Sequence, residues 1–180
     1  MPHVKVNLGA IATQAQTNIA YGIEGLRLLE NGKIPEKVLK KLLEKDKDRE
    51  KRQVTIIDAK GRTAAFTGNE TENWKGHMIG EDCVVAGNML TGTNVIRAMH
   101  DSFVEQKGTL ALRLLKALEA GQNVGGDKRG RLSAALLVAD IRWIGSSRLL
   151  LDLRVDAHSN PVAELRRVYT VSRGYFHIPE

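Results

Sequence analysis

This chain of 180 residues has one cysteine, four prolines and an aromatic content of only 4%, and each shortage removes a class of protein. A lone Cys83 cannot form an internal disulfide, and its setting in Asp82-Cys83-Val84-Val85-Ala86 reads as a small apolar strand residue, which fits a reducing cytoplasm. No Pro/Ser-rich linker, low-complexity tract or internal repeat divides the chain, so residues 1–180 read as one domain, large enough to bury a core without a metal or disulfide staple. No apolar run approaches the roughly 20 residues a bilayer span needs, and Met1-Pro2-His3-Val4-Lys5 lacks the apolar centre of a signal peptide. A cytoplasmic protein with no membrane partner is expected. Zinc-ligand spacing, a P-loop, a dinucleotide glycine pattern and HExxH are all missing, so no cofactor is expected.

Charge of one sign is also scarce locally, although the total is +6 with a pI near 9.5. Residues 121–180 hold 9 basic and 6 acidic side chains and the first 120 residues hold 18 and 15, so each part contributes +3 and neither forms a basic tail. The densest charged stretch, Glu36 to Arg52, mixes signs at the i,i+4 spacing of a solvated helix face. Nucleic acid is not an expected partner.

What is present is a regular alternation of apolar patterns. Val4, Val6 and Leu8 alternate with polar residues, and Gly9 to Thr17 is rich in small and β-branched residues, predicting one or two strands. A helix follows with Ile23, Leu26 and Leu29 on its buried side and a stop at Gly32. A second helix opens at Pro35 and buries Val38, Leu39, Leu42 and Leu43. Gln53–Asp58 and Arg62–Thr67 flank Ala59-Lys60-Gly61 as a hairpin, and another strand pair is expected between His77 and Leu90. Helices are predicted over Thr93–Gln106 and Thr109–Ala120, the second capped by Thr109, stopped by Gly121 and buried through Leu110, Leu114, Leu115 and Leu118. Leu132–Ala139 is apolar at nearly every position, predicting a strand covered on both faces, whereas Arg148–Asp156 alternates and so keeps one partly polar face. A last helix starts at Asn160-Pro161. Strand pairs, then helix pairs, then strands again predict an α+β fold of stacked layers.

The most informative segment is Gly125-Gly126-Asp127-Lys128-Arg129-Gly130-Arg131, a glycine-rich charged turn that runs into the apolar strand. Its glycines allow tight turning, and its cations offer donors to a carboxylate, phosphate or carbonyl oxygen. It reads either as the anion-gripping rim of a site or as a solvated connection whose arginines pair with nearby acids. Together with Gly9–Ala15, Tyr21–Leu26, Ala64–Gly68, Ala86–Leu90, Asp152–Asp156 and Pro161–Arg167, in one order along the chain, this segment resembles the domain of unknown function 1028 (DUF1028), grouped with the Ntn hydrolases.

That resemblance implies a four-layer αββα sandwich with two mainly antiparallel sheets. It also implies amide-bond hydrolysis in which an amino-terminal Thr, Ser or Cys attacks and its own α-amino group acts as base. Members of that family carry about one more hairpin, roughly 25 residues in short strands, before the region matching Val4–Ala15. Neither Met1 nor Pro2 supplies the nucleophile, so it is expected to be absent from this chain, and a sheet edge left unpaired predicts a homo-oligomer. Leu132 stands where many relatives carry glutamine.

Under the resemblance, Asn88, Asp127, Arg129, Arg131 and Asp152 would line a cleft for a small anionic or amide ligand, with Ser133 and Arg154 beside them. Internal hydroxyls at Thr13, Thr67 and Ser133 have no histidine or lysine adjacent in sequence and read as strand residues satisfied by the backbone. Asn88 reads as an oxyanion donor or as a turn asparagine. Asp152 and Asp156, interleaved with Arg154, predict a salt-bridge ladder facing Arg129 or Arg131 rather than a metal site. His77 and His100 read as surface or interface residues. Two functions remain open: a small-amide or peptide hydrolase, and a non-catalytic binding or assembly protein on the same scaffold.

Overall fold

A computed structural model describes residues 1–140 and 148–176. The amino-terminal half forms a four-stranded antiparallel sheet in the order β1 (Pro2–Lys5), β2 (Gly9–Ala15), β3 (Arg52–Asp58), β4 (Thr63–Thr67). Alternation along β2 and β3 sends Ile11, Val54 and Ile56 to one face, where helices α1 (Ile19–Glu30) and α2 (Pro35–Glu44) bury them with Tyr21, Leu28, Leu29, Val38 and Leu42. Helix α1 is capped by the Asn18 side chain, which accepts from the Ala20 amide at 3.1 Å, and the chain leaves it through Gly32 at φ 74°.

The buried stripe of α1 is the expected one at Leu29, with Leu26 partly buried beside it, but not at Ile23. Ile23 is 64% exposed, and the inward face carries Gly22 and Gly25 beside Tyr21, Leu28 and Leu29. A Cβ on Gly22 would lie 2.1 Å from the His3 ring and one on Gly25 would lie 2.3 Å from Ile11, so close approach of helix to sheet, not side-chain size, selects the face. In α2 the pattern holds, with Pro35, Val38 and Leu42 fully buried and Leu39 and Leu43 partly so.

The opposite face of β3 meets an antiparallel pair, β5 (Gly76–Gly80) and β6 (Cys83–Gly87), which also touches β4 and is covered in turn by α3 (Asn94–Glu105). Helix α4 (Leu110–Asn123) packs along α3. It begins at Thr109 as expected, with the hydroxyl 3.4 Å from the Leu112 amide, but it does not stop at Gly121. That glycine is buried inside the helix against Met99, where a Cβ would sit 2.6 Å from Met99 Cγ. Nor does Leu110 belong to the buried stripe: it is 49% exposed, and Ala111, Leu115 and Ala117 form the inner face.

The last sheet is a two-stranded ribbon of β7 (Ala134–Asp140) and β8 (Arg148–Val155), followed by α5 (Pro161–Phe176). Leu136, Val138, Leu151 and Val155 on one face join Ala111, Leu115, Leu165 and Tyr169 in a second core. The expectation that both faces of Leu132–Ala139 are covered holds only in part, with Leu136 and Val138 buried and Leu137 and Ala139 half-buried. Leu132 is 69% exposed ahead of the strand and Ala135 is exposed within it, because α4 and α5 both pack on the same side. The fold is thus α+β, built from small antiparallel sheets with helices packed against them. Among the described residues no helix is long and apolar enough to cross a membrane.

Candidate functional site

Strand register, not sequence proximity, assembles the main polar cluster. Gln53 is the cross-strand partner of Gln14 on β2 and of Thr67 on β4, so the three side chains stand in one row on the face opposite the α1–α2 core. Gln53 is completely buried. Its Nε2 lies 2.9 Å from the Gly76 carbonyl, the Gly87 carbonyl and Thr67 Oγ1, while its Oε1 accepts from Gln14 Nε2 at 2.7 Å and Asn88 Nδ2 at 3.1 Å. Two backbone carbonyls can only accept, so the amide orientation is determined. One side chain thereby ties the four-stranded sheet to the β5–β6 ribbon and to the Asn88 turn.

The row continues to an imidazole. Thr67 Oγ1 is 2.9 Å from His77 Nδ1 on β5. Gln53 Nε2 shares two hydrogens among the two carbonyls and Thr67 Oγ1, and the Thr67 hydroxyl donates to Nδ1 in the tautomer that carries its ring proton on Nε2. Partial burial lowers the His77 pKa below the ordinary histidine value, so the neutral ring prevails at pH 7. Thr67 is half-buried and His77 exposed, which leaves the pair within reach of a solute.

The charged turn lies over the neighbouring loops. The Lys128 amide donates to the Met89 carbonyl at 2.8 Å and the Thr91 amide to the Gly126 carbonyl at 3.0 Å, binding the turn to the segment that also carries Asn88. Positive φ values at Gly125, Gly126 and Gly130 make this path possible. Its charges are consumed locally. Arg129 grips Asp127 through two nitrogens, at 2.5 Å for the closest contact, and this hydrogen bonding holds the Asp127 carboxyl below its usual pKa. Lys128 Nζ sits 2.6 Å from Glu72 and 2.8 Å from the Asn73 carbonyl. Arg131 lies 3.4 Å from Asn160 Oδ1.

Of the residues expected to line a cleft, the structure brings Asn88 into the glutamine row and Asp127 with Arg129 onto the adjoining loop. The others lie elsewhere. Ser133 is exposed just before β7, and Asp152 and Arg154 project from the uncovered face of β8. The ladder predicted for them takes a different form, since Arg154 pairs with Asp156 at 3.2 Å and Arg129 with Asp127. Thr13 is fully buried under α1, with no hydrogen-bond partner for its hydroxyl, so it cannot meet a substrate. Gln53 and His77 as partners of Thr67 escaped the sequence reading. The available signal was a glutamine heading Val54-Thr55-Ile56-Ile57, a polar group where the strand is otherwise built for burial.

A model of a family of unknown function, DUF1028, matches residues 1–165. The crystal structure of a Silicibacter pomeroyi protein assigned to the same family is similar with a TM-score of 0.81 and 33% sequence identity, over 93% of this chain and 71% of that one. No curated protein matches.

Proposed function

This chain belongs to DUF1028, a family of unknown function, and from that premise we propose that it is an acyl-transfer hydrolase acting on small amides or esters. The observation that carries the reading is the convergence of three carboxamides, a hydroxyl and an imidazole in one hydrogen-bonded cluster at the ends of five strands. A cluster that served stability alone would gain nothing from keeping a neutral imidazole exposed beside a hydroxyl. Buried polar groups held in fixed geometry and meeting a solvent-facing base are what a hydrolytic site requires.

The scaffold in this reading is a four-layer αββα sandwich of the Ntn-hydrolase type. The layer order supports it: α1 and α2 cover one face of the four-stranded sheet, β5–β6 lies against the other, and α3 covers that ribbon. The face of β7–β8 turned away from α4 and α5, where Ala135, Asp152 and Arg154 are exposed, supports a homo-oligomer in which another protein surface lies over it. The intact purified chain, offered a panel of p-nitroanilides and p-nitrophenyl esters, is expected to release chromophore in proportion to protein concentration. No release above the protein-free rate from any member of the panel overturns the reading.

A further inference from the structure

We infer that Thr67 is an internal nucleophile and His77 its general base, forming a hydroxyl–imidazole pair that attacks esters and amides bearing an apolar acyl group. The inference deepens the hydrolase reading and rests on it, but it departs from an amino-terminal nucleophile.

Three features of the geometry carry it. Oγ1 and Nδ1 stand 2.9 Å apart, the separation a proton crosses in general-base catalysis. Gln53 contacts the same oxygen from the buried side, again at 2.9 Å, and is itself held by Gln14 and Asn88, which fixes the position of Oγ1. Finally, a groove of about 700 Å³ is lined by Leu39, Leu43, Ala65, Phe66 and Ile79. Ala65 and Ile79 each stand two residues from Thr67 and His77 on the same strand faces, about 7 Å away along the strands. Ile79 is 51% exposed, an apolar surface that an acyl chain would cover.

The steps balance without any further reagent than water. Thr67 Oγ1 attacks the carbonyl carbon as its proton passes to His77 Nδ1, and the tetrahedral intermediate collapses with that proton delivered to the departing amine or alcohol. The acyl group is now an ester of Thr67. Water, deprotonated by His77, attacks this ester, the free acid leaves and Thr67 recovers its hydrogen.

The test separates this pair from the broader function. With p-nitrophenyl acetate, butyrate and hexanoate, the wild-type chain is expected to favour the longer esters, and Thr67→Val, which keeps shape but loses the hydroxyl, is expected to abolish turnover. Thr67→Ser retains it, and His77→Gln lowers kcat/KM by about 10²–10⁴-fold and removes the acid limb of the pH profile. Circular dichroism and a thermal melt establish that each variant is folded. Two readouts do not depend on turnover: nitrogen-15 histidine shifts, expected to show Nε2 protonated and Nδ1 accepting, and mass mapping after a hydrophobic β-lactone, expected to place the adduct on Thr67. Full turnover in folded Thr67→Val, an adduct on another residue, or the opposite tautomer overturns the pair even if the chain is a hydrolase. A Thr67 adduct and the expected tautomer uphold it even if no ester in the series turns over.

Discussion

The charged turn at Gly125–Arg131 and the glutamine row at Gln14–Gln53–Thr67 are opposites in how they advertise themselves. The turn is conspicuous in one dimension and modest in three: Asp127 and Arg129 pair within the turn, Lys128 meets the Glu72–Asn73 segment and Arg131 meets Asn160, largely at the surface. The row is almost silent in one dimension, being scattered over positions 14, 53, 67, 77 and 88, and it becomes a buried network only through strand register. Exposed ion pairs are worth little because solvent already screens them. Buried carboxamides cost much when unpaired, so the quiet cluster constrains the fold more than the loud one.

The sharpest way to break that comparison is to remove Gln53. Gln53→Leu strands the Gly76 and Gly87 carbonyls and deprives Gln14 and Asn88 of their acceptor. With about 1–3 kcal/mol for each buried group left unsatisfied and partial relaxation, the loss is expected to be roughly 3–5 kcal/mol. The urea midpoint should fall steeply, and the β5–β6 ribbon should lose hydrogen-exchange protection first. A change under about 1 kcal/mol would mean that the row does not join the sheets.

A second polar centre, around the partly buried Asp46, ranks next. Burial pushes its carboxyl upward, but hydrogen bonds from Arg52, Asn18, the Asp48 amide and Tyr21 outweigh that and hold it well below the usual carboxylate range. A folded pKa below the unfolded one means that its stabilisation is complete above the unfolded value, near 3.9, and is lost as pH falls below it. Asp46→Asn is therefore expected to cost roughly 2–4 kcal/mol at pH 7, and the gap to the wild type should narrow in melts below about pH 4. A gap of constant size through that range would show that charge at Asp46 is not the source.

The uncovered side of the β7–β8 ribbon gives a middle case. Ala135→Lys adds a charge at an exposed position of β7. In an isolated chain its effect should stay within about 0.5 kcal/mol. In a homo-oligomer that buries this face it should dissociate the assembly, a difference that light scattering of the two proteins reads directly.

These cases also show how far the sequence reaches. The hairpin at Ala59-Lys60-Gly61, the Pro35 start of α2, the Thr109 cap and the one-sided pattern of β8 were legible because each depends on residues a few positions apart. The glycines on the inward face of α1 and the continuation of α4 through Gly121 were not, since glycine marks a close contact only when the partner, His3 or Met99, is known. The Thr67–His77 pair failed to appear for the same reason. Ten residues separate them, and their meeting depends on how β4 and β5 lie together.

The mildest prediction completes the contrast. Arg129→Ala removes the most elaborate ion pair of the turn, yet the arginine side chain is 65% exposed and the pair spans only two residues. Its loss is expected to cost no more than about 1 kcal/mol, and the difference should shrink further in high salt, where exposed charges are screened. Asp127 would lose the partner that holds its pKa down while the backbone contacts of Lys128 and Gly126 kept the turn in place. A loss of several kcal/mol, unchanged by salt, would reverse the ranking and make the turn, not the glutamine row, the structural keystone of this region.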